Sequence, residues 1–134
     1  MKREDVLKLL LSYLSQFSFH PVLEHELLRL IAETGSESRF FKLLALRIRQ
    51  LSLKGAQATA LEEFEQLNSS IFSMHLTSQS FNIRILFSFL PNDKPVLLLA
   101  FYERAGKRRT DYTGRISEAE ERLVFMKERF DYEQ

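Results

Sequence analysis

The sequence predicts an α+β fold, an antiparallel sheet covered on one face by helices and preceded by an N-terminal helical hairpin. Three observations carry this expectation. Apolar residues recur at helical spacing through the first half of the chain, the period falls from about 3.6 to about 2 residues near position 70, and a helical stripe returns close to the end. A half-apolar sheet of this kind needs a layer of helices over it. With 134 residues the chain suits one compact domain, 1–134, large enough to bury a real core.

Val6, Leu10, Tyr13, Leu14 and Phe17 mark a first amphipathic helix over residues 4–17, which His20-Pro21 breaks. Pro21 fits the first turn of a second helix with apolar face Leu23, Leu27, Leu30 and Ile31, ended by Thr34-Gly35. Residues 36–53 read as a third helix, with Phe40, Phe41, Leu44, Ile48 and Leu51 inward, Arg39, Arg47 and Arg49 nearer the surface, and Gly55 at its close. A fourth is expected over 56–67, presenting Leu61, Phe64 and Leu67 and ended by Asn68-Ser69-Ser70. Then the period changes. Residues 71–76 set Phe72, Met74 and Leu76 opposite Ser73 and His75, and after a turn at 77–80 the strand 81–90 sets Phe81, Ile83, Ile85, Phe87 and Phe89 opposite Asn82, Arg84 and Ser88. Pro91-Asn92-Asp93-Lys94 is a hairpin turn into a return strand over 95–102. A last helix begins near Ser117, whose spacing to Glu120 is that of a capping box, and its stripe is Ile116, Ala119, Leu123, Met126 and Phe130.

The composition, 45% hydrophobic and 28% charged, is that of a folded globular protein. Without cysteine there is no disulfide, thiolate metal site or thiol nucleophile, which fits a reducing compartment. The start Met1-Lys2-Arg3-Glu4-Asp5 and the amphipathic pattern after it are unlike a signal peptide, and the apolar runs are too short to cross a bilayer, so a cytoplasmic location is expected. The sequence contains no Walker A motif, dinucleotide turn, nucleophile elbow or EF-hand loop, and neither His20 nor His25 stands at metal-ligand spacing from a carboxylate pair. No cofactor and no metal are expected.

With a net charge of +1, a general polyanion-binding surface is not written into the composition, so position decides. Between Arg104 and Arg115 lie five cations, Arg104, Lys107, Arg108, Arg109 and Arg115, against one anion, Asp111. They are candidates for holding RNA phosphates; the plain alternative is a solvated loop. Metal-free RNA cleavage needs a group to take the 2′-hydroxyl proton, one to stabilise charge on the phosphate and one to protonate the leaving oxygen. Arg84, mid-strand on the polar face, suits the second task because its planar fork holds two phosphate oxygens, unless it simply pairs with a carboxylate on a neighbouring strand. His75 suits proton transfer, the alternative being an ordinary surface hydrogen bond. Tyr112 can stack on a base and orient a 2′-hydroxyl, or serve as a packing anchor.

Three segments extend the reading: the hairpin 40–67 running into Ile71-Phe72-Ser73-Met74-His75-Leu76, the strand Phe81-Asn82-Ile83-Arg84-Ile85-Leu86-Phe87, and Val96-Leu97-Leu98-Leu99-Ala100-Phe101 leading to Gly106-Lys107-Arg108-Arg109-Thr110-Asp111-Tyr112. In this order they resemble the RelE/HigB family of bacterial type II toxins, the last being similar to that family's Gly-His-Arg-Arg-Asp-x-Tyr pattern. The resemblance implies a small twisted antiparallel sheet covered on one face by helices, with a toxin core over 36–134 and an extra N-terminal helical hairpin, 1–35, that the compact toxins lack. It also implies a metal-free ribonuclease site on an open, concave sheet face. There Arg84 binds phosphate, Arg108 (or Arg109, if the alignment shifts by one) is the arginine of the basic loop, and Tyr112 is the terminal aromatic. Messenger RNA, cut on the ribosome, and a helix-turn-helix antitoxin are the implied partners. The chain departs from RelE proper where that protein carries lysines on the first strand, since Ser73 and His75 stand there. A second reading is a ParE-like toxin or RelE-fold binding protein that inhibits a protein target without cutting RNA, and a third is a structural phage or plasmid protein.

Overall fold

His20 stands in extended backbone before Pro21, and its Nδ1 accepts the Val22 N–H at 3.2 Å, so a fixed proline φ and a side-chain cap together start α1 (Pro21–Thr34). Gly35, left-handed at φ 66°, ends it. Helix α2 (Glu37–Lys54) follows directly and stops at Gly55. The computed structural model describes residues 4, 5, 8, 9, 12, 17–103 and 108–133, without the side chains of 108–111, 132 and 133. Positions 4, 5, 8, 9 and 12 are helical, inside the predicted 4–17 helix, whose Val6, Leu10, Tyr13 and Leu14 lie outside the described residues.

Among the described residues, β1 (Ser18–Phe19), β2 (Phe64–Gln66), β3 (Phe72–Thr77), β4 (Asn82–Phe89) and β5 (Pro95–Tyr102) form one sheet in the order β1-β5-β4-β3-β2. The pairings from β2 to β5 are antiparallel, while β1 lies parallel to β5 through Ser18–Val96 and Phe19–Leu97. Residues 56–67 are not the predicted helix. Gly55–Ala60 make a 3₁₀ turn in which Thr59 Oγ1 donates to the Ala56 carbonyl at 2.7 Å, a local bond that competes with α-helical continuation. Phe64–Gln66 then become an edge strand held by its pairing with β3. Asn68 closes the connection, its Oδ1 accepting the Ser70 and Ile71 N–H groups at 2.9 and 2.7 Å.

Between β4 and β5 the register slips: Leu86 pairs with Leu99 but Phe87 with Leu97, so Leu98 is a bulged residue. This sends Val96, Leu98, Leu99 and Phe101 to one face and Leu97 and Ala100 to the other. The first core joins α1 and α2 to the sheet through Leu23, Leu27, Ile31, Phe40, Ile83 and Phe87. The second lies under α3 (Arg108–Glu133), where Ala119, Leu123 and Met126 meet Leu86, Leu98 and Phe101. The fold is α+β, with helices packed on a sheet. In two particulars it goes beyond the sequence reading: the sheet is mixed, and the face away from α1 and α2 carries α3. The apolar run of β5 explains the second, because a strand buried on both sides shows no alternation. Helix α3 also begins at Arg108, not near Ser117. Tyr112 sits one helical step before Ile116 and extends the buried stripe, packing edge-on against Phe101 at 5.4 Å, so Ser117 lies within the helix and caps nothing.

Both long flanking strands outrun their shorter neighbours, and charged side chains meet the backbone there. Arg122 Nη1 donates to the Leu98 carbonyl at 2.9 Å, and Glu26 Oε1 accepts the Ala100 N–H at 3.1 Å. The two side chains join as a fork at 2.8 and 2.9 Å, with Glu118 on Arg122 at 2.9 Å. Burial works against the Arg122 charge, but bonding and attraction from Glu26 and Glu118 outweigh it and hold the guanidinium above its ordinary value. On the other side Arg47, expected nearer the surface, is buried and its Nε donates to the His75 carbonyl at 2.9 Å.

His20 ties stability to pH. Burial, then the Arg122 charge, lower its pKa from 6.5 against the opposing pull of Glu26 and Glu118, and protonation would turn the capping acceptor into a donor facing another N–H. A depressed folded pKa means that the contribution is complete above 6.5 and is lost as pH falls through the folded value. We expect the melting temperature to fall further between about pH 7.5 and about pH 5.5 in the natural protein than in His20→Asn, which keeps a cap that does not titrate. Equal losses would remove His20 from the pH dependence.

Candidate active site

The alternation of β4 puts Arg84 on the same face as Leu86 and Ser88, and that of β3 puts Ser73, His75 and Thr77 beside it, with His75 directly opposite Arg84. Tyr112 reaches the group from the start of α3. Arg84 Nε donates to Tyr112 Oη at 3.0 Å, Nη1 to Thr77 Oγ1 at 3.2 Å, and Nη2 lies 2.6 Å from Glu103 Oε2. Arg84 is 8% exposed and Glu103 6%. Asn82 holds Glu103 in turn, donating Nδ2 to Oε2 at 3.2 Å and accepting the Glu103 N–H at 2.9 Å. Burial pushes the Tyr112 phenol above its ordinary pKa, while the nearby Ser73 hydroxyl and the Arg84 charge pull the other way, so near neutrality it keeps its proton.

His75 is fixed by its backbone. Its N–H donates to the Glu63 carbonyl at 2.8 Å and its carbonyl accepts from Arg47, while the ring Nε2 lies 3.5 Å from Glu65 Oε2. The side chains of His75 and Glu65 are 21% and 35% exposed, so the cluster borders solvent along β2 and β3, although His75 Nε2 itself is buried. Elsewhere α3 covers this face. Arg84 is therefore not the open phosphate clamp that the sequence suggested: Glu103 takes its Nη2, Thr77 its Nη1, and the phenol of Tyr112 its Nε–H.

The structure thus brings together Arg84, Tyr112 and His75. Arg115 is half-exposed on α3, its Cζ 5.3 Å from the Phe101 ring centre and its Nη1 3.8 Å from Glu118. Arg108 and Arg109 form the first turn of α3 instead of a loop, their side chains lying outside the described residues, as do Arg104 and Lys107 altogether. Sequence reasoning missed Glu103. The signal was strand parity, for Glu103 follows Phe101 by two and so falls on the Arg84 face. Among the described residues no cluster of three or more His, Asp or Glu could hold a metal ion, and no helix is long and apolar enough to cross a membrane. Compared with known proteins, the chain matches no family model and no curated protein.

Proposed function

We propose that the chain is the toxin of a type II toxin–antitoxin pair, a metal-independent endoribonuclease that cuts messenger RNA on the ribosome, in the cytoplasm, and is neutralised by a helix-turn-helix antitoxin. The ribosome and the antitoxin enter through the resemblance to RelE/HigB alone. One observation carries the reading: Arg84, Tyr112 and His75, chosen from three separate segments, converge at one 3.0 Å hydrogen bond and one cross-strand pair. His75 takes the 2′-hydroxyl proton as the 2′-oxygen bonds to phosphorus. Arg84 and the protonated Tyr112 donate to the phosphate oxygens, and the bond to the 5′-oxygen breaks as that oxygen gains a proton from water. Arg104, Lys107, Arg108, Arg109 and Arg115 supply attraction to the RNA backbone. Because Glu103 occupies Arg84 Nη2 and Thr77 takes Nη1, a phosphate must displace both, so RNA binding and opening of the ion pair are one event.

The 2.6 Å Arg84–Glu103 contact also favours the second reading, a ParE-like toxin or RelE-fold binding protein in which the pair is purely structural. Induction in a bacterial host with mapping of message 5′ ends separates the two. New in-frame cuts support the nuclease, whereas growth arrest without them supports a protein target. His75→Gln is expected to lower cleavage by about 10²–10⁴-fold while RNA binding persists. Unchanged turnover across the pH range would remove His75 from the mechanism.

A further inference from the structure

Helix α2 buries Phe40, Leu44, Ile48 and Leu51 and presents a second row outward. Arg39, Lys42, Leu46, Arg49 and Leu53 follow one another at steps of three and four residues, which on a helix is a single line about 21 Å long. The repeat is a heptad: Lys42 and Arg49 stand seven apart, as do Leu46 and Leu53. Leu53 is 75% exposed and Leu46 46%, while a groove of 420 Å³ runs along Lys42, Leu46, Ile48, Arg49 and Leu53. The row contains no carboxylate, and among the described residues Arg39, Lys42 and Arg49 make no ion pair. In a chain of net charge +1 this face is a local concentration of cations around solvent-facing leucines.

We propose that this row docks an acidic amphipathic helix from another protein, whose apolar seam lies over Leu46 and Leu53 while its flanking carboxylates meet Arg39, Lys42 and Arg49. Charge complementarity selects the partner's sign, and the heptad spacing selects its helical form. A nucleic-acid backbone would use the cations but leave the leucines in water. The assignment is independent of the ribonuclease reading, since the row lies on the side of α2 turned away from the sheet.

The test pans the full-length folded protein against a display library of amphipathic helical peptides about three heptads long. We expect enriched peptides to be apolar at heptad spacing and acidic on the flanks. In fluorescence anisotropy the pair Leu46→Ser with Leu53→Ser, and separately Lys42→Glu with Arg49→Glu, should each weaken binding by at least about tenfold. Circular dichroism of both variants should match that of the parent. Failure to enrich, enrichment of basic or non-helical peptides, or equal affinity in the variants would overturn the assignment. A single-stranded RNA oligonucleotide that binds the parent and is lost with the charge reversals but kept by the serine variants would make the row a nucleic-acid surface, and would equally overturn it.

Discussion

Arg84→Ala is expected to cost about 3–5 kcal/mol of folding stability, because it strands the Glu103 carboxylate in the interior. The side chains of the pair are 10% and 7% exposed and 2.6 Å apart, so water compensates only partly for the lost guanidinium. Replacing both partners, Arg84→Met with Glu103→Leu, removes the charge problem, and such apolar substitutions of buried pairs are often neutral or stabilising. That double variant should unfold in urea close to the parent midpoint and yet show cleavage reduced by at least about 10²-fold, the scale of one lost charge-stabilising donor. Arg84→Lys keeps a charge but not the two-pronged geometry, so weak activity is expected. A folded double variant that still cuts message and arrests growth would end the role assigned to Arg84. An Arg84→Ala protein as stable as the parent would show that Glu103 does not depend on it.

The second large effect is structural. Arg122→Ala should destabilise the protein by about 3–5 kcal/mol, lowering the melting temperature by about 10–20 °C. The change removes a fork whose side chains are 9% and 12% exposed, leaves the Glu26 carboxylate partly buried, and takes the donor from the bulged Leu98 carbonyl. Glu26→Gln keeps an oxygen for the Ala100 N–H and should cost less, about 1–3 kcal/mol. Thermal unfolding of the two variants gives the order. A loss below about 1 kcal/mol for Arg122→Ala would reduce the contact to an ordinary surface pair.

What could be read from the sequence follows how local its cause is. Helix α1 was legible because proline and glycine punctuate it, and β4 because Ile83, Ile85 and Phe87 alternate with Arg84 and Ser88. The convergence of Arg84 with His75 and Tyr112 was legible from strand parity and resemblance. The rest is set by partners distant along the chain. Phe64–Gln66 are a strand because β3 lies beside them, and Ser18–Phe19 because β5 does. Arg47 and Arg122 turn inward toward carbonyls that no local pattern announces. Glu103 looked like the start of a loop, and only the register across β4 and β5 shows that it completes the Arg84 cluster. The closed face escaped for the same reason, since the first turns of α3 are helical through Tyr112 packing on Phe101.

A sheet normally risks growing by one strand whenever another chain meets an unpaired backbone edge. Here the outermost strands are two and three residues long, and the parts of β5 and β3 that extend past them are occupied by Glu26 with Arg122 and by Arg47. These guards sit on helices, not on the sheet itself. Self-association should therefore begin when α3 or α2 lifts and carries its arginine away, at temperatures or denaturant concentrations where the strands are still paired. A molecule that has loosened one helix is then the template for aggregation, and the fully unfolded chain is not required.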